Sequence, residues 1–212
     1  MKYIKMFGLV AVAAVALMAF VGASSASATV FCKTTGTGTP TGTTCPANQA
    51  YPAGTTTHEV SEGAVHLTTE FQNIECKKSI IEVEIEKEGG ATETLKGPVK
   101  KLTFEECNCT VTVLKGGTQE FHWISGTHSG TITSSGGEVT ATCNTIFGTE
   151  HCIYTTENTD VGDVTGGEEA AVDIEGNEVI RLPTSGLCAG QGNWHGHYKV
   201  ESPKPLYIAA HT

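Results

Sequence analysis

Ile81-Glu82-Val83-Glu84-Ile85-Glu86 alternates apolar and acidic residues without a break. A β-strand sends successive side chains to opposite faces, so Ile81, Val83 and Ile85 share one face and the three glutamates share the other. A helix would scatter the same residues around its circumference. Gly89-Gly90 follows and marks a hairpin turn. Working outward, the period of two starts near Ala64-Val65-His66-Leu67 and continues through Leu102–Glu105 and Thr110–Leu114. Gly116-Gly117 turns the chain into Glu120–Ile124. Gly130–Thr133 and Val139–Thr142 flank Ser134-Ser135-Gly136-Gly137 as another hairpin. Cys152–Thr155, Ala170–Ile174, Val179–Leu182, Trp194–Val200 and Leu206–Ala209 are further strands, with Pro203 and Pro205 breaking the chain before the last. About a dozen short strands with turn chemistry every 8–12 residues predict an all-β, single-domain sandwich over residues 57–212, with a closed or partly open barrel as the alternative.

Composition agrees. The chain has 212 residues, 32 of them threonine, a residue that favours strands, and 25 glycines without a period of three, which excludes collagen. Charged residues make up 17%, below the roughly 25% of soluble domains, and 39% hydrophobic content is too high for simple disorder. Lys2 and Lys5, then the apolar run Phe7–Val21, then Ala26-Ser27-Ala28 read as a signal peptide over residues 1–28. The run is shorter than the about 20 residues needed to span a bilayer. Phe31 stands where a lipobox before Cys32 needs Gly or Ala, so a lipid anchor is not expected. Cleavage after Ala28 removes two lysines and no acid, leaving 11 positive and 23 negative groups, a net charge of −12. Such a surface repels nucleic acid and anionic lipid, so neither a nucleic-acid partner nor membrane insertion after cleavage is expected.

All eight cysteines follow that site, and an even number in an exported chain reads as disulfides. Cys32 and Cys45 bracket a Thr/Gly/Pro loop within the arm 29–56, which is either an extended disulfide-closed arm or an unstructured linker. A weak internal repeat places Gly-Gly 13–14 residues after Cys76 and after Cys152, each followed by one more cysteine, and pairs Cys76 with Cys107 and Cys152 with Cys188. Cys109 and Cys143 remain as the fourth pair. Cys107 and Cys109 are spaced too tightly for a usual zinc site.

Three patterns carry what chemistry the sequence offers. In Trp194-His195-Gly196-His197-Tyr198 the two histidines project to one strand face, a spacing compatible with a metal, with no third ligand identifiable. Asn158-Thr159-Asp160-Val161-Gly162-Asp163 reads as an acid loop whose Asp160 and Asp163 are calcium candidates, without the EF-hand pattern. Trp123, Trp194 and Tyr198 form a candidate ligand face for carbohydrate. No cofactor is expected, and no G-x-S-x-G, H-E-x-x-H, P-loop or Rossmann signature points to catalysis. Asn108-Cys109-Thr110 fits an N-glycosylation acceptor.

Ile74–Ser79, Leu102–Leu114, His151–Thr156 with Asn158–Asp160, and Trp194–Val200 resemble a family of uncharacterised secreted β-proteins of actinobacteria. The likeness spans residues 60–210, leaves out the Cys32–Cys45 arm, and implies export and cysteine-bonded β-structure. It carries over no functional residue. The expectation is a secreted, acidic, non-catalytic extracellular or envelope protein that is a structural or interaction module. Carbohydrate or cell-wall binding is the first alternative and calcium or zinc binding the second.

Overall fold

Ile81–Ile85 alternates in space as it does in sequence: the three aliphatic residues are buried and Glu82 and Glu84 face outward. The structure is a computed structural model and describes residues 29–35, 44–87, 89, 94–146, 148–157, 159–181 and 188–211, with side chains at 159–161, 176–178, 180 and 181 outside the description. The signal segment 1–28 lies outside the described residues.

In chain order the first strands are β1 (Thr29–Cys32), β2 (Thr44–Cys45), β3 (Thr56–Ser61), β4 (Val65–Thr69), β5 (Asn73–Glu84) and β6 (Leu95–Cys107). Next come β7 (Thr110–Lys115), β8 (Thr118–Trp123), β9 (Ser129–Ser135), β10 (Glu138–Thr145) and β11 (Gly148–Thr155). The last are β12 (Thr159–Thr165), β13 (Ala171–Arg181), β14 (Gln191–Ser202) and β15 (Tyr207–His211). Every segment that periodicity marks as a strand falls in or against one of these. The acid stretch is the difference: Thr159–Thr165 is a strand rather than a loop, paired to β9 on one side and β13 on the other. Val164 supplies its buried anchor at 1% exposure, and a bulge between Asp160 and Gly162 absorbs the turn-forming residues.

The sheet closes on itself, so the barrel forms rather than the sandwich. β3 pairs with β5, β5 with β6, β6 with β8, β8 with β9, β9 with β12, β12 with β13, β13 with β14, and β14 returns to β3, all antiparallel. Eight strands give an interior that side chains can fill or that can hold one small ligand. Its core includes Phe31, Val83, Leu95, Phe121, Ile132, Tyr198 and Ile208.

β5, β6, β13 and β14 run past this ring into a second, incomplete one. There β4 sits between β14 and β5, and β13 is followed by β11, β10 and β7. Among the described residues no backbone ladder joins β7 to β6, so the second ring has a seam. Leu67, Ile74, Ala141, Cys143, Cys152, Tyr154 and Cys188 form its core. Disulfides Cys76–Cys107, Cys109–Cys143 and Cys152–Cys188 all fall in this part, where ladder closure is missing. Cys76 and Cys107 are directly opposed on β5 and β6.

The fourth bridge, Cys32–Cys45, holds the arm. Its described residues are neither a linker nor a coreless loop. β1 and β2 flank β15 in a three-stranded sheet, and all four β1 residues are buried. Phe31 meets Phe121 edge-on with ring centroids 4.8 Å apart, which places the arm against the end of the barrel. The Trp123 backbone N–H donates to Thr29 Oγ1 at 2.9 Å, and Ile208 N–H to the His128 carbonyl at 3.2 Å, pinning the cap.

Candidate functional site

β14 alternates between interior and exterior, and the two faces divide the sequence candidates. Outward go His195, His197, Lys199 and Glu201; inward go Gly192, Trp194, Gly196, Tyr198 and Val200. His195 and His197 therefore share the exterior face. His195 lies opposite His66 of β4 and Glu175 of β13, and His197 lies opposite Asp173, which itself lies opposite Asp163 of β12. His197 Nδ1–H donates to Asp173 Oδ1, and its Nε2 is 3.3 Å from Glu62 Oε2. The Asp173 hydrogen bond holds His197 above the usual imidazole range, partly opposed by desolvation and supported by Glu62. Asp163 is two strands away, and the Asp160 side chain lies outside the described residues. Among the described residues no three His, Cys, Asp or Glu side chains gather as a metal site.

The aromatic surface does not form. Tyr198 is fully buried, and Trp194 and Trp123 are half-buried against the core. Trp123 packs at the capped end with its indole N–H on the Thr127 carbonyl at 2.8 Å. Register turns Trp194 and Tyr198 inside, and Gly196 between them leaves room: a Cβ there would sit 2.8 Å from Tyr198 Cε2 and 2.9 Å from Val65 Cγ1. Alternating small and large residues is how a narrow barrel interior is filled.

What these two aromatics line instead is a cavity of about 100 Å³ at the waist between the two cores. Its buried floor is Ile81, Gln119, Ser134, Tyr154, Ile174 and Tyr198; its half-buried rim includes Val99, Leu102, Phe104, Val139, Val179 and Trp194. Phe104 and Trp194 meet edge-to-face at 4.9 Å. The rim residues Val99, Leu102 and Phe104 belong to β6 where it parts from β7, so the cavity lies beside the seam. Polar atoms on this wall are few. Ser134 and Thr156 hydroxyls hydrogen-bond each other at 3.1 Å. Gln119 is 6% exposed, and its Oε1 is buried without a hydrogen-bond partner among the described residues.

Behind Tyr198 lies a second polar group that sequence reasoning missed. Glu59 of β3 points inward at 1% exposure, beside Thr57, whose hydroxyl donates to Glu59 Oε1 at 2.9 Å. Glu59 Oε2 and the hydroxyls of Ser79 and Tyr198 are buried with no partner at hydrogen-bond geometry among the described residues. Burial pushes the Glu59 carboxyl up to about 7, against the Thr57 hydrogen bond. Burial also pushes the Tyr198 phenol up, while Ser79 and Trp194 beside it act the other way and Glu59 adds to the rise. The only sequence signal for Glu59 is its phase: Thr57, Glu59 and Ser61 share a face, and register places Glu59 opposite buried Ile81.

At the far end of the second ring, a groove of about 710 Å³ runs between the β4–β5, β6–β7 and β10–β11 connections. Phe71 and Ile146 stand on it 61% and 94% exposed. Gln72, Asn73, Asn108 and Asn144 line it, but the Asn108 amide is already engaged, donating to the Asn73 carbonyl and accepting from Glu75 N–H.

Comparison with known proteins returns no matching family model, no matching curated protein and no matching solved structure.

Proposed function

We propose that this chain is an exported, non-catalytic binding module that holds a small apolar molecule in the waist cavity. The aromatic-lined cavity inside an eight-stranded barrel carries the reading. Its polar wall side chains are Gln119, Ser134, Tyr154, Thr155, Thr156, Trp194 and Tyr198; no acid or histidine stands among them, so the wall offers contact rather than proton transfer. Four disulfides suit an oxidising, extracellular setting, and the N-terminal sequence pattern supports export. The test is thermal unfolding of the disulfide-bonded protein with benzene or toluene near aqueous saturation. Binding to the folded state raises the midpoint in step with ligand concentration. No shift with either probe would refute the reading.

A second reading is glycan or cell-wall binding, moved from the tryptophans to the end groove. Exposed Phe71 beside Gln72 and Asn73 favours it, since sugars are held by an apolar ring face together with amide hydrogen bonds. Phe71→Ala would then abolish retention on cell-wall polysaccharide while leaving the thermal midpoint unchanged; equal retention of both proteins would reject it.

A further inference from the structure

Each of the other barrel strands sends at least one apolar side chain into the core, from Val83 of β5 to Val200 of β14; β3 sends none. Its buried residues are Thr57 and Glu59, and Ser61 continues their phase. Its one aliphatic residue, Val60, is half-buried on the opposite face. Yet these 6 residues close the ring, since β3 links β5 to β14. We propose that β3 is a pH-sensitive latch, held shut by protons on Glu59 and His58, that loosens locally as pH rises toward neutral while the rest of the barrel stays folded. The latch goes beyond the binding reading and needs no guest in the cavity.

The inner face supplies most of the effect. Thr57 donates its hydroxyl to Glu59 Oε1 at 2.9 Å, and Oε2 has no partner among the described residues. Facing Glu59 are Ile81 of β5, with Ser79 in phase with it, and Val200 of β14, with Tyr198 in phase with it. Of these only Tyr198 titrates, and burial pushes its phenol further up, so it stays neutral. An ionised Glu59 thus has no counter-charge, and burial holds its carboxyl at about 7 against an ordinary 4.5. Opening β3 returns the carboxyl to water, where it gives up the proton. The opening constant therefore rises up to about tenfold per pH unit between about 5 and 7, and levels off above that because both forms are then ionised.

The outer face acts in the same direction. His58 Nδ1 is 3.1 Å from Glu82 Oε1 of β5, and its Nε2 is 3.6 Å from Glu201 Oε2 of β14. Both contacts are ion pairs only while the ring is protonated, and imidazoles change charge between about pH 5 and 8. Glu82 also meets Lys101 of β6 at 3.4 Å, so it keeps a cation when His58 loses its own. Just past β3, Glu62 is 3.3 Å from His197 Nε2, with Asp173 of β13 on the other ring nitrogen. Lys199 of β14, which Glu169 helps keep protonated, also faces Glu62 and Glu201 and does not titrate in this range. His197 therefore holds Glu62 more weakly as pH rises, and no inward apolar side chain of β3 offsets either loss.

The test is hydrogen–deuterium exchange of the disulfide-bonded protein from pH 5 to 8, corrected for the intrinsic pH dependence of amide exchange, in peptides covering β3 and β9. Amides of β3 are expected to be less protected than those of β9 at every pH, and insensitive to low guanidinium, as a local opening requires. Their protection is expected to fall roughly hundredfold between pH 5 and 7. In Glu59→Gln the fall shrinks to about fivefold or less, the share of the surface histidines, and His58→Gln added to it lowers that further. Equal protection and equal guanidinium dependence in β3 and β9 would show that β3 opens only with the whole barrel and would overturn the latch. So would β3 protection that does not vary with pH, or a fall that Glu59→Gln leaves unchanged. The wild-type series compares two strands of one molecule, so it decides the matter even where a variant fails to fold.

Discussion

Replacing Glu59 by glutamine tests whether the barrel interior holds a carboxylic acid that stays neutral well above the ordinary carboxylate range. The buried carboxyl titrates at about 7 against an ordinary 4.5, because ionisation places a charge on a strand position facing Ile81 and Val200, with one hydroxyl as partner. A folded-state pKa raised above the unfolded one means that the folded chain holds the proton more tightly. Its contribution is fully present below pH 4.5 and is lost as pH rises through 7. The shift corresponds to about 3 kcal/mol. Glutamine has the shape of the protonated acid and cannot ionise, so it removes this loss. Other carboxylates titrate in the same window, and the difference between wild type and Glu59→Gln cancels them. The two proteins are expected to be nearly equal in stability at pH 4. By pH 8 the variant is more stable by ~3 kcal/mol, or ~6–12 °C in the midpoint for a chain of this size. The assay is thermal or guanidinium unfolding with all four disulfides intact, from pH 4 to 8. A difference that stays constant with pH, or a wild type that is the more stable at pH 8, would refute the burial argument.

Three other outcomes rest on named contacts. Gly97→Ala places a Cβ 1.8 Å from the Glu84 carbonyl oxygen, so β5 and β6 must part; a loss of about 3 kcal/mol or failure to fold is expected, and a midpoint within about 2 °C of wild type would refute the close approach. Cys32→Ser with Cys45→Ser opens a 13-residue separation and costs about 3 kcal/mol in the chain-entropy model, with amide exchange rising first in β1 and β15; unchanged exchange there would show that the arm docks without its bridge. His197 gains from Asp173 and Glu62 only while protonated, so that contribution is full below the unfolded value of 6.5 and fades as pH rises through the elevated folded pKa. With the side chain 46% exposed, His197→Gln loses about 0.2–1 kcal/mol at pH 5.5 and almost nothing at pH 9, and a pH-independent difference in unfolding free energy would contradict the contact.

Much of this architecture is legible in the chain because strands announce themselves by period two. Ile81–Ile85 and Trp194–Val200 give their alternation directly. What local pattern cannot supply is which face is the inside when both carry apolar and polar groups. On β14, one face holds Trp194 and Tyr198 between glycines and the other holds the histidines; only the register with β4 and β13 turns the first face inward. Glu59 is hidden for the same reason, since its position opposite Ile81 is a fact about two strands and not one. Long strands look short in the sequence where the phase breaks. On β5 both Lys77 and Lys78 are exposed between buried Cys76 and Ser79, at the point where β5 changes partner from β4 to β3. The acidic run 159–165 carries turn-forming residues, and tertiary pairing overrides them. The cysteines are the exception to locality: bracketing and a weak repeat point to three of the pairs that the structure bonds, and Cys109–Cys143 is the pair left over.

The pairing of β1 with β15 also bears on the order of assembly. Thr29 meets Ala210 and Cys32 meets Tyr207, so the strand synthesised first waits for a partner about 180 residues later. Until that partner arrives, Val30 lacks Ala209, Phe31 has Phe121 but not Ile208, and the stopper at that end of the barrel is incomplete. A chain emerging gradually can build its hairpins early, but it cannot close this end until β15 has been made. Once β15 docks, that end is covered, and the waist cavity lies beside the seam between β6 and β7.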